Sequence, residues 1–584
     1  MTSETSEAAA QLRDALKDLP SNADRVCDLA RELSNAPEPS AAYALLVLAL
    51  IPSDGVSPEL ARPRETWINQ FRALPVRNRY LPGATVAAPS PGIVVDTAVS
   101  SLANLVANIP AQDLPVFDHR IRSLSGSYWN EIPLSRAMQS LRAMTPGTGR
   151  TAVLGVLSSY WDGYVREAAV GGLAACAGGE EIPFLLWRCA DWVEQVREPA
   201  IAAIYARLTN ANCGALARAL PLVPRMEAVR RSDPSELIAA IYDTLLREPG
   251  QASLVAALGS DNARVRRQAC AVLGRMPAAP SLAVIAAVSQ DKDAVVRRWA
   301  LRWEARLRTV DPDAARVVRM SLLNDPTSEI RAEALRTLAA ADGLDAVPLL
   351  RRYLADPSAT VRQAVRYRLW KMIPGTDLAA VYRETLAAFV VGDSGMIRRR
   401  ADTGRLIGAI AGLGETGKAD DIGWITPFLQ YRPRVAVTVL RAMKSLSEDT
   451  AHPVLLGSVV DVRPGVRRVA RNLLGDRLPD GDAKTVRDLW LKIDAAVSPD
   501  ALADITLCLS PWHALGVLLA ASARPSVRPS ALDALGRWRP EQVAHYTASP
   551  PSVGVKAELV ESLESGLAII PTMLWQRLRK AIEG

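Results

Sequence analysis

Four stretches decide the fold: DNARVRRQACAVLGRM (261–276), DAVVRRWALRWEARL (293–307), DPTSEIRAEALRTLAA (325–340) and DPSATVRQAVRYRLWKM (356–372). Each opens on Asp and a short polar turn. Each then gives a β-branched residue followed at once by Arg, at Val265-Arg266, Val296-Arg297, Ile330-Arg331 and Val361-Arg362. The intervals between these pairs are 31, 34 and 31 residues. Self-similarity at this period marks a stacked helical repeat architecture. After Val361 the apolar positions are Val365, Leu369 and Met372; after Val265 they are Ala269, Val272, Leu273 and Met276. These fall on one face of a 3.6-residue period, so this half of each repeat is an amphipathic helix. Asp325-Pro326 and Asp356-Pro357 read as helix starts, a capping oxygen followed by a residue whose φ suits a first turn. A second apolar run precedes each, such as SLAVIAAVSQ (281–290) and AVPLLRRYLA (346–355). Two helices and two turns fill the repeat, and neither helix buries its face without neighbours.

The Asp–x–x–x–(Val/Ile)–Arg–x–x–Ala–x–x–x–Leu second helices resemble HEAT repeats, in the short form also found in phycobilisome-lyase-like proteins. Pro183, Pro348, Pro427 and Pro453 inside first helices add to the resemblance. It extends over roughly 150–560 and implies an all-α solenoid superhelix of about a dozen helix pairs. A fold of this kind serves unrelated roles, so function has to be argued from sites.

Working outward, the readable repeats begin at YWDGYVREAAVGGLAAC (160–176) and ADWVEQVREPAIAAIYARL (190–208), with degenerate repeats near 212–247 and 490–509. Val-Arg or Ile-Arg pairs recur at 397, 466 and 527, and the final helix, AIIPTMLWQRLRKAIEG, suits the end of a stack. The expected organisation is a divergent helical region at 1–146, a repeat array at 147–566 and a capping helix at 567–584. In the first region helices are expected near 6–18, 22–34, 39–51, 57–72, 95–108, 111–124 and 131–144. Segment 74–92 holds Pro75, Pro82, Pro89, Pro91, Gly83 and Gly92 and reads as a loop. Its Arg77, Arg79 and Tyr80 offer contact chemistry, although a connector is the simpler reading.

Composition narrows the function classes. Six cysteines are scattered without C-x-x-C spacing, and most fall on apolar faces, as small core residues of a reducing compartment do. The N-terminus lacks a basic start followed by an apolar run, and AAYALLVLALI (41–51) is half a membrane span ending at Pro52. A cytoplasmic protein without membrane insertion is expected. Four histidines, His119, His452, His513 and His545, lie beyond helical reach of one another, so neither metal nor cofactor is expected. GLGETGK (412–418) lacks phosphate-loop spacing and reads as glycines ending a helix. The resemblance also reaches HEAT-like DNA glycosylases, which use Trp and Asp near the damaged base. Trp187 and Asp191 stand four apart on a first helix, where a core Trp beside a solvated Asp is the expected arrangement.

Net charge is +7, and arginine makes up 60 of the 69 basic residues. Codon bias accounts for that preference, and the Asp and Arg of each repeat read as an exposed ladder, each pair contributing about 0–1 kcal/mol. Position is more informative than abundance. With the β-branched residue at zero, slots +2, +5 and +6 point away from the core. Over the seven repeats beginning at Val265, Val296, Ile330, Val361, Ile397, Val466 and Val527, those 21 slots hold eight arginines: Arg267, Arg298, Arg302, Arg336, Arg366, Arg399, Arg468 and Arg471. Chance places about two there, or about four with helix-surface enrichment. The earlier repeats carry Glu167 and Glu198 at +2 instead. The expected function is a non-catalytic scaffold or adaptor that holds an acidic protein partner against this basic concave surface. A nucleic-acid backbone gripped in the same groove is the alternative.

Overall fold

A computed structural model describes residues 11, 15, 23–34, 92–128, 147–229, 233–391, 400–493, 497–540 and 551–583. Among them every regular element is helical, and the chain divides into two compact units, 1–318 and 319–584. The division falls within helix Pro312–Leu322, inside the run of readable repeats. Of the expected N-terminal helices, Ala23–Ser34, Gly92–Ala107 and Leu114–Tyr128 lie among the described residues. The helices expected at 39–51, 57–72 and 131–144 and loop residues 74–91 lie outside them. Gly92 opens a helix instead of closing the loop.

In the first unit, Ile182–Arg188 packs on Glu194–Tyr205, Gly250–Ala257 on Ala263–Leu273, and Leu282–Ser289 on Ala294–Leu307. The second unit repeats the plan with Val347–Tyr353 against Ala359–Met372 and Glu448–Ser458 against Pro464–Leu474. Successive second helices also touch, as Gly163–Ala174 does with Glu194–Tyr205 and Pro433–Leu446 with Pro464–Leu474. Each unit is thus a stack of helix pairs, an α-solenoid. Val265, Val296, Ile330, Val361 and Val466 are buried, and Trp303, seven residues after Val296, is fully enclosed.

Packing on two sides makes the outward face narrower than a simple wheel implies. Slot +5 is buried at Cys270, Leu301 and Leu335, because that flank meets a neighbouring helix. The arginine at +1 lies on the same flank. Arg166, Arg266, Arg297 and Arg362 are buried, so the ladder is an interior seam and not the exposed feature expected from sequence. Its geometry recurs. Arg166, Arg266, Arg297, Arg331, Arg362 and Arg467 each donate from one terminal nitrogen to the carbonyl six residues back, at 2.7–3.0 Å. Arg166, Arg266 and Arg331 also grip the carboxylate 25 residues ahead, Asp191, Asp291 and Asp356, with two bonds each.

That aspartate does not cap the helix itself. Asp191, Asp291, Asp325, Asp356 and Asp461 each accept the backbone N–H two residues on, forming the turn before the helix. Helix Ala359–Met372 accordingly starts after Asp356-Pro357, with Ser358 at the N-cap. A second recurrent arginine closes helix C-termini. Arg207 donates to the carbonyls of Leu173 and Ala174, Arg306 to Gly274 and Met276, and Arg577 to Leu535 and Gly536. A guanidinium can serve two or three such acceptors at once; an ammonium on a flexible stem holds that geometry poorly. The arginine preference therefore has an architectural use beyond codon bias.

Of the glycines of GLGETGK, Gly417 ends helix Arg400–Thr416 as expected, its N–H donating to the Leu413 carbonyl at 2.7 Å, whereas Gly412 and Gly414 sit inside the helix. A Cβ at Gly412 would come 2.2 Å from the Tyr382 ring, and one at Gly414 2.7 Å from Ala442. These glycines allow close helix packing, which is the physical reason for their presence here.

Candidate functional site

Two arrangements stand out, one on the outer helix faces and one buried. In the first unit, Arg267, Arg298 and Arg302 are exposed, with Arg267 bound to Asp293 at 2.5 Å and Arg302 lying over the Trp299 ring at 4.4 Å. Asp293 also caps its own helix by accepting from Val295 and Val296, and Arg267 holds its carboxyl below the usual value. Arg298 is exposed and makes no ion pair among the described residues.

In the second unit, Arg336 pairs with Glu333 at 2.6 Å and Arg471 with Asp476 at 3.4 Å. Arg366 shares Glu415 with the seam residue Arg362. Burial pushes Glu415 up, but bonds from Arg362 and Arg366 outweigh it and hold the carboxyl low. Arg468 is exposed and makes no ion pair among the described residues, while Arg399 lies outside them. Four of the seven described arginines are therefore held by the chain's own acids. Counting outward slots on second helices could not find Asp293, Glu415 or Asp476, which stand in turns or on other helices. Beside Arg366, Tyr367 and Trp370 are 50% and 62% exposed, and Lys371 lies 5.2 Å from the Tyr367 ring centre.

The buried arrangement lies within the first unit, where helices Leu114–Tyr128, Gly163–Ala174 and Ile182–Arg188 converge. The two oxygens of Asp191 accept from Arg166 twice, at 3.0 and 3.2 Å, from Arg188 at 2.8 Å, from Arg122 at 3.0 Å and from the Val193 N–H at 3.0 Å. Arg188 also bonds Asp118, which Arg122 approaches at 3.3 Å. Arg166, Arg188, Asp118 and Asp191 are all buried. Burial drives Asp191 upward, yet the guanidinium groups and the amide hold it below the ordinary carboxylate value. Burial likewise lowers Arg188, with its neighbours only partly compensating.

This corrects the expected core Trp beside a solvated Asp. Asp191 is the enclosed partner, because a seam arginine needs its carboxylate inside. Trp187 is half-buried on the wall of a cleft. With five donors on its two oxygens, Asp191 is engaged on all sides. The cleft has a volume of about 330 Å³ and is lined by Pro115, Asp118, His119, Arg122, Trp187, Arg188, Ala190, Asp191, Trp192 and Val229. Sequence periodicity missed this cluster because Asp118 and Arg122 come from a helix about 70 residues before Asp191, outside the readable repeats.

The remaining titratable candidates are the histidines and cysteines. His452 bonds Asp482 at 2.6 Å, His513 bonds Ser510 at 2.8 Å, His119 is exposed, and His545 lies outside the described residues. Among the described residues no group of three or more His, Cys, Asp or Glu is placed to hold a metal ion. None of the six cysteines is in a disulfide, and burial raises the thiols of Cys189, Cys213, Cys270 and Cys508 above their ordinary value. Among the described residues no helix is long and apolar enough to cross a membrane.

Comparison with known proteins places HEAT repeats at residues 251–339. No curated protein matches the chain in sequence. Among solved structures, Kap95p with RanGDP aligns over 97% of this chain and 92% of its own at 11% identity and a TM-score of 0.29. The karyopherin Kap121p bound to the SUMO protease Ulp1p aligns over 100% and 77% at 11% identity and 0.30, and an engineered protein over 99% of both chains at 14% identity and 0.18. Scores this low are far from a shared global arrangement.

Proposed function

From the premise that residues 251–339 are HEAT repeats within two α-solenoid units, we propose that the chain is a non-catalytic scaffold or adaptor. It binds an acidic protein partner through the outer faces of its second helices. The observation that carries this reading is the division among the outward arginines. Arg267, Arg336, Arg366 and Arg471 are neutralised by Asp293, Glu333, Glu415 and Asp476, whereas Arg298 and Arg468 are exposed without an ion pair among the described residues. A groove that grips a phosphate backbone draws its affinity from many unpaired cations. Sparse cations interspersed with exposed aromatics suit a protein interface, where Arg, Tyr and Trp are enriched.

The experiment is a pull-down of tagged protein from native lysate with and without nuclease, followed by fluorescence anisotropy with random duplex and single-stranded probes at two salt concentrations. A nuclease-resistant partner whose association slows when Arg298→Glu and Arg468→Glu are combined supports the reading. Micromolar or tighter, salt-sensitive binding of generic nucleic acid, lost in that double variant, would replace it with the nucleic-acid alternative.

A further inference from the structure

We propose that Trp161, Tyr164 and Trp192, with the carboxylates around them, form a docking surface for an extended polypeptide segment that carries arginines. The surface belongs to the two earliest readable repeats, within the first unit, and is separate from the arginine-bearing face. Either surface can fail its test without affecting the other.

Trp161 and Trp192 stand 31 residues apart at the same place in consecutive repeats, each four residues before buried Val165 or Val196. Trp161 is 39% exposed, Trp192 61% and Tyr164 70%, so two successive turns offer three large rings to solvent. The helices that follow these turns, Gly163–Ala174 and Glu194–Tyr205, pack against each other. One buried residue links the two tryptophans. Arg166 donates to the Trp161 carbonyl at 2.8 Å, and its guanidinium carbon lies 5.9 Å from the centre of the Trp192 ring. Trp192 thus already meets a guanidinium from the protein interior while much of the ring stays open to solvent.

Charge selects the partner. Arg166 is engaged by Asp191, and Arg197 by Glu198 and the Asp191 carbonyl. Glu167 stands three residues beyond Tyr164 on the same helix face, and Glu194 two beyond Trp192. Both are exposed and make no ion pair among the described residues. In a chain of net charge +7 this is a local reversal: slot +2 holds Glu167 and Glu198 here, where later repeats hold Arg267, Arg298 and Arg468. Aromatic faces beside unpaired carboxylates attract a guanidinium through the ring and through charge-assisted hydrogen bonds. A phosphate backbone or an acidic segment meets repulsion, and an apolar segment would cover the carboxylates without pairing them.

The repeat also sets the spacing. Packed neighbouring helices lie about 8–10 Å apart. In the polyproline II form a chain brings residues i and i+3 to one side, about 9 Å apart. A segment of the form Arg-x-x-Arg therefore places one guanidinium at each tryptophan.

Fluorescence anisotropy of the intact chain with short, labelled Ser/Pro-rich peptides tests the surface. A peptide bearing Arg-x-x-Arg should bind saturably with a Kd of about 100 μM or tighter. Lysines in place of the arginines should weaken binding about threefold to tenfold, because an ammonium lacks the planar group that stacks on an indole. Two adjacent arginines should cost about threefold, since one ring is left unused. Glutamates should abolish binding. Tyr164→Ala combined with Trp192→Ala should weaken binding about tenfold or more. Glu167→Gln combined with Glu194→Gln should weaken it about threefold to tenfold and reduce its salt dependence. Tyr164→Ala alone, at the most exposed of the three rings, leaves Arg166 and its contacts in place and should cost about threefold. That single variant decides the matter should the double variant misfold. No saturable binding up to about 1 mM, affinity for the lysine, glutamate or adjacent-arginine peptide equal to that for Arg-x-x-Arg, or affinity unchanged by Tyr164→Ala overturns the proposal.

Discussion

Arg266 and Arg267 are neighbours in sequence and opposites in structure. The first is buried in the seam, bonded twice to Asp291 and twice to backbone carbonyls. The second is exposed and meets Asp293 from the outside. The same division separates buried Arg297 from exposed Arg298. One residue turns a helix by about 100°, enough to carry a guanidinium from an interface between helices to open solvent. The lesson is that arginine content in this fold has to be divided by position before any of it is read as a binding surface.

The largest effect that could break this comparison is at Arg166, whose side chain and that of Asp191 are both fully buried. Replacing Arg166 by Leu should destabilise the first unit by about 3–5 kcal/mol, because Asp191 loses two bonds and two carbonyls lose their donor. Urea denaturation followed by circular dichroism measures this, and a loss within about 0.5 kcal/mol would place Arg166 with surface residues. A smaller effect is expected at the close helix contact of the second unit. Gly412→Ala forces a methyl against the Tyr382 ring and should lower stability by about 1–3 kcal/mol. Gly457→Ala, in helix Glu448–Ser458 with open space around its Cβ, should be neutral or stabilising by up to about 1 kcal/mol.

The seam also predicts how stability responds to acid. Asp191 and Glu415 titrate lower in the folded chain than unfolded. Their contribution is complete above the unfolded value of about 4 and is lost as pH falls through the folded values. Thermal melts should therefore be flat in this respect above about pH 5 and decline below it, and Asp191→Asn should flatten the decline while lowering stability at neutral pH. The smallest structural effect belongs to the outer face. Arg298→Glu and Arg468→Glu should each change stability by no more than about 0.5 kcal/mol, so any loss of partner association is attributable to the surface.

The helix-pair architecture was legible in sequence because apolar positions at 0, +4, +7 and +8 record burial directly, as Val265, Ala269, Val272 and Leu273 illustrate. The Asp and Arg of the motif were legible as a ladder, but not their depth. Burial of Arg166 follows from how neighbouring repeats stack, which a single helix does not encode. The outward arginines were identified from their slots, but not the acids that neutralise them, which stand three residues away for Arg336, five for Arg471, 26 for Arg267 and 49 for Arg366. The cleft beside Trp187 depends on Asp118 and Arg122, which precede the first readable repeat and carry no periodic signal.

The most direct test of the division between seam and face is to compare Arg266→Leu with Arg267→Leu, adjacent changes on one helix, by urea denaturation under identical conditions. The seam variant should lose about 3 kcal/mol, since its side chain is 4% exposed and Asp291 would be left without its bidentate partner. The face variant should lose less than about 1 kcal/mol, as an exposed pair does. Equal losses, or a larger loss at Arg267, would contradict the account.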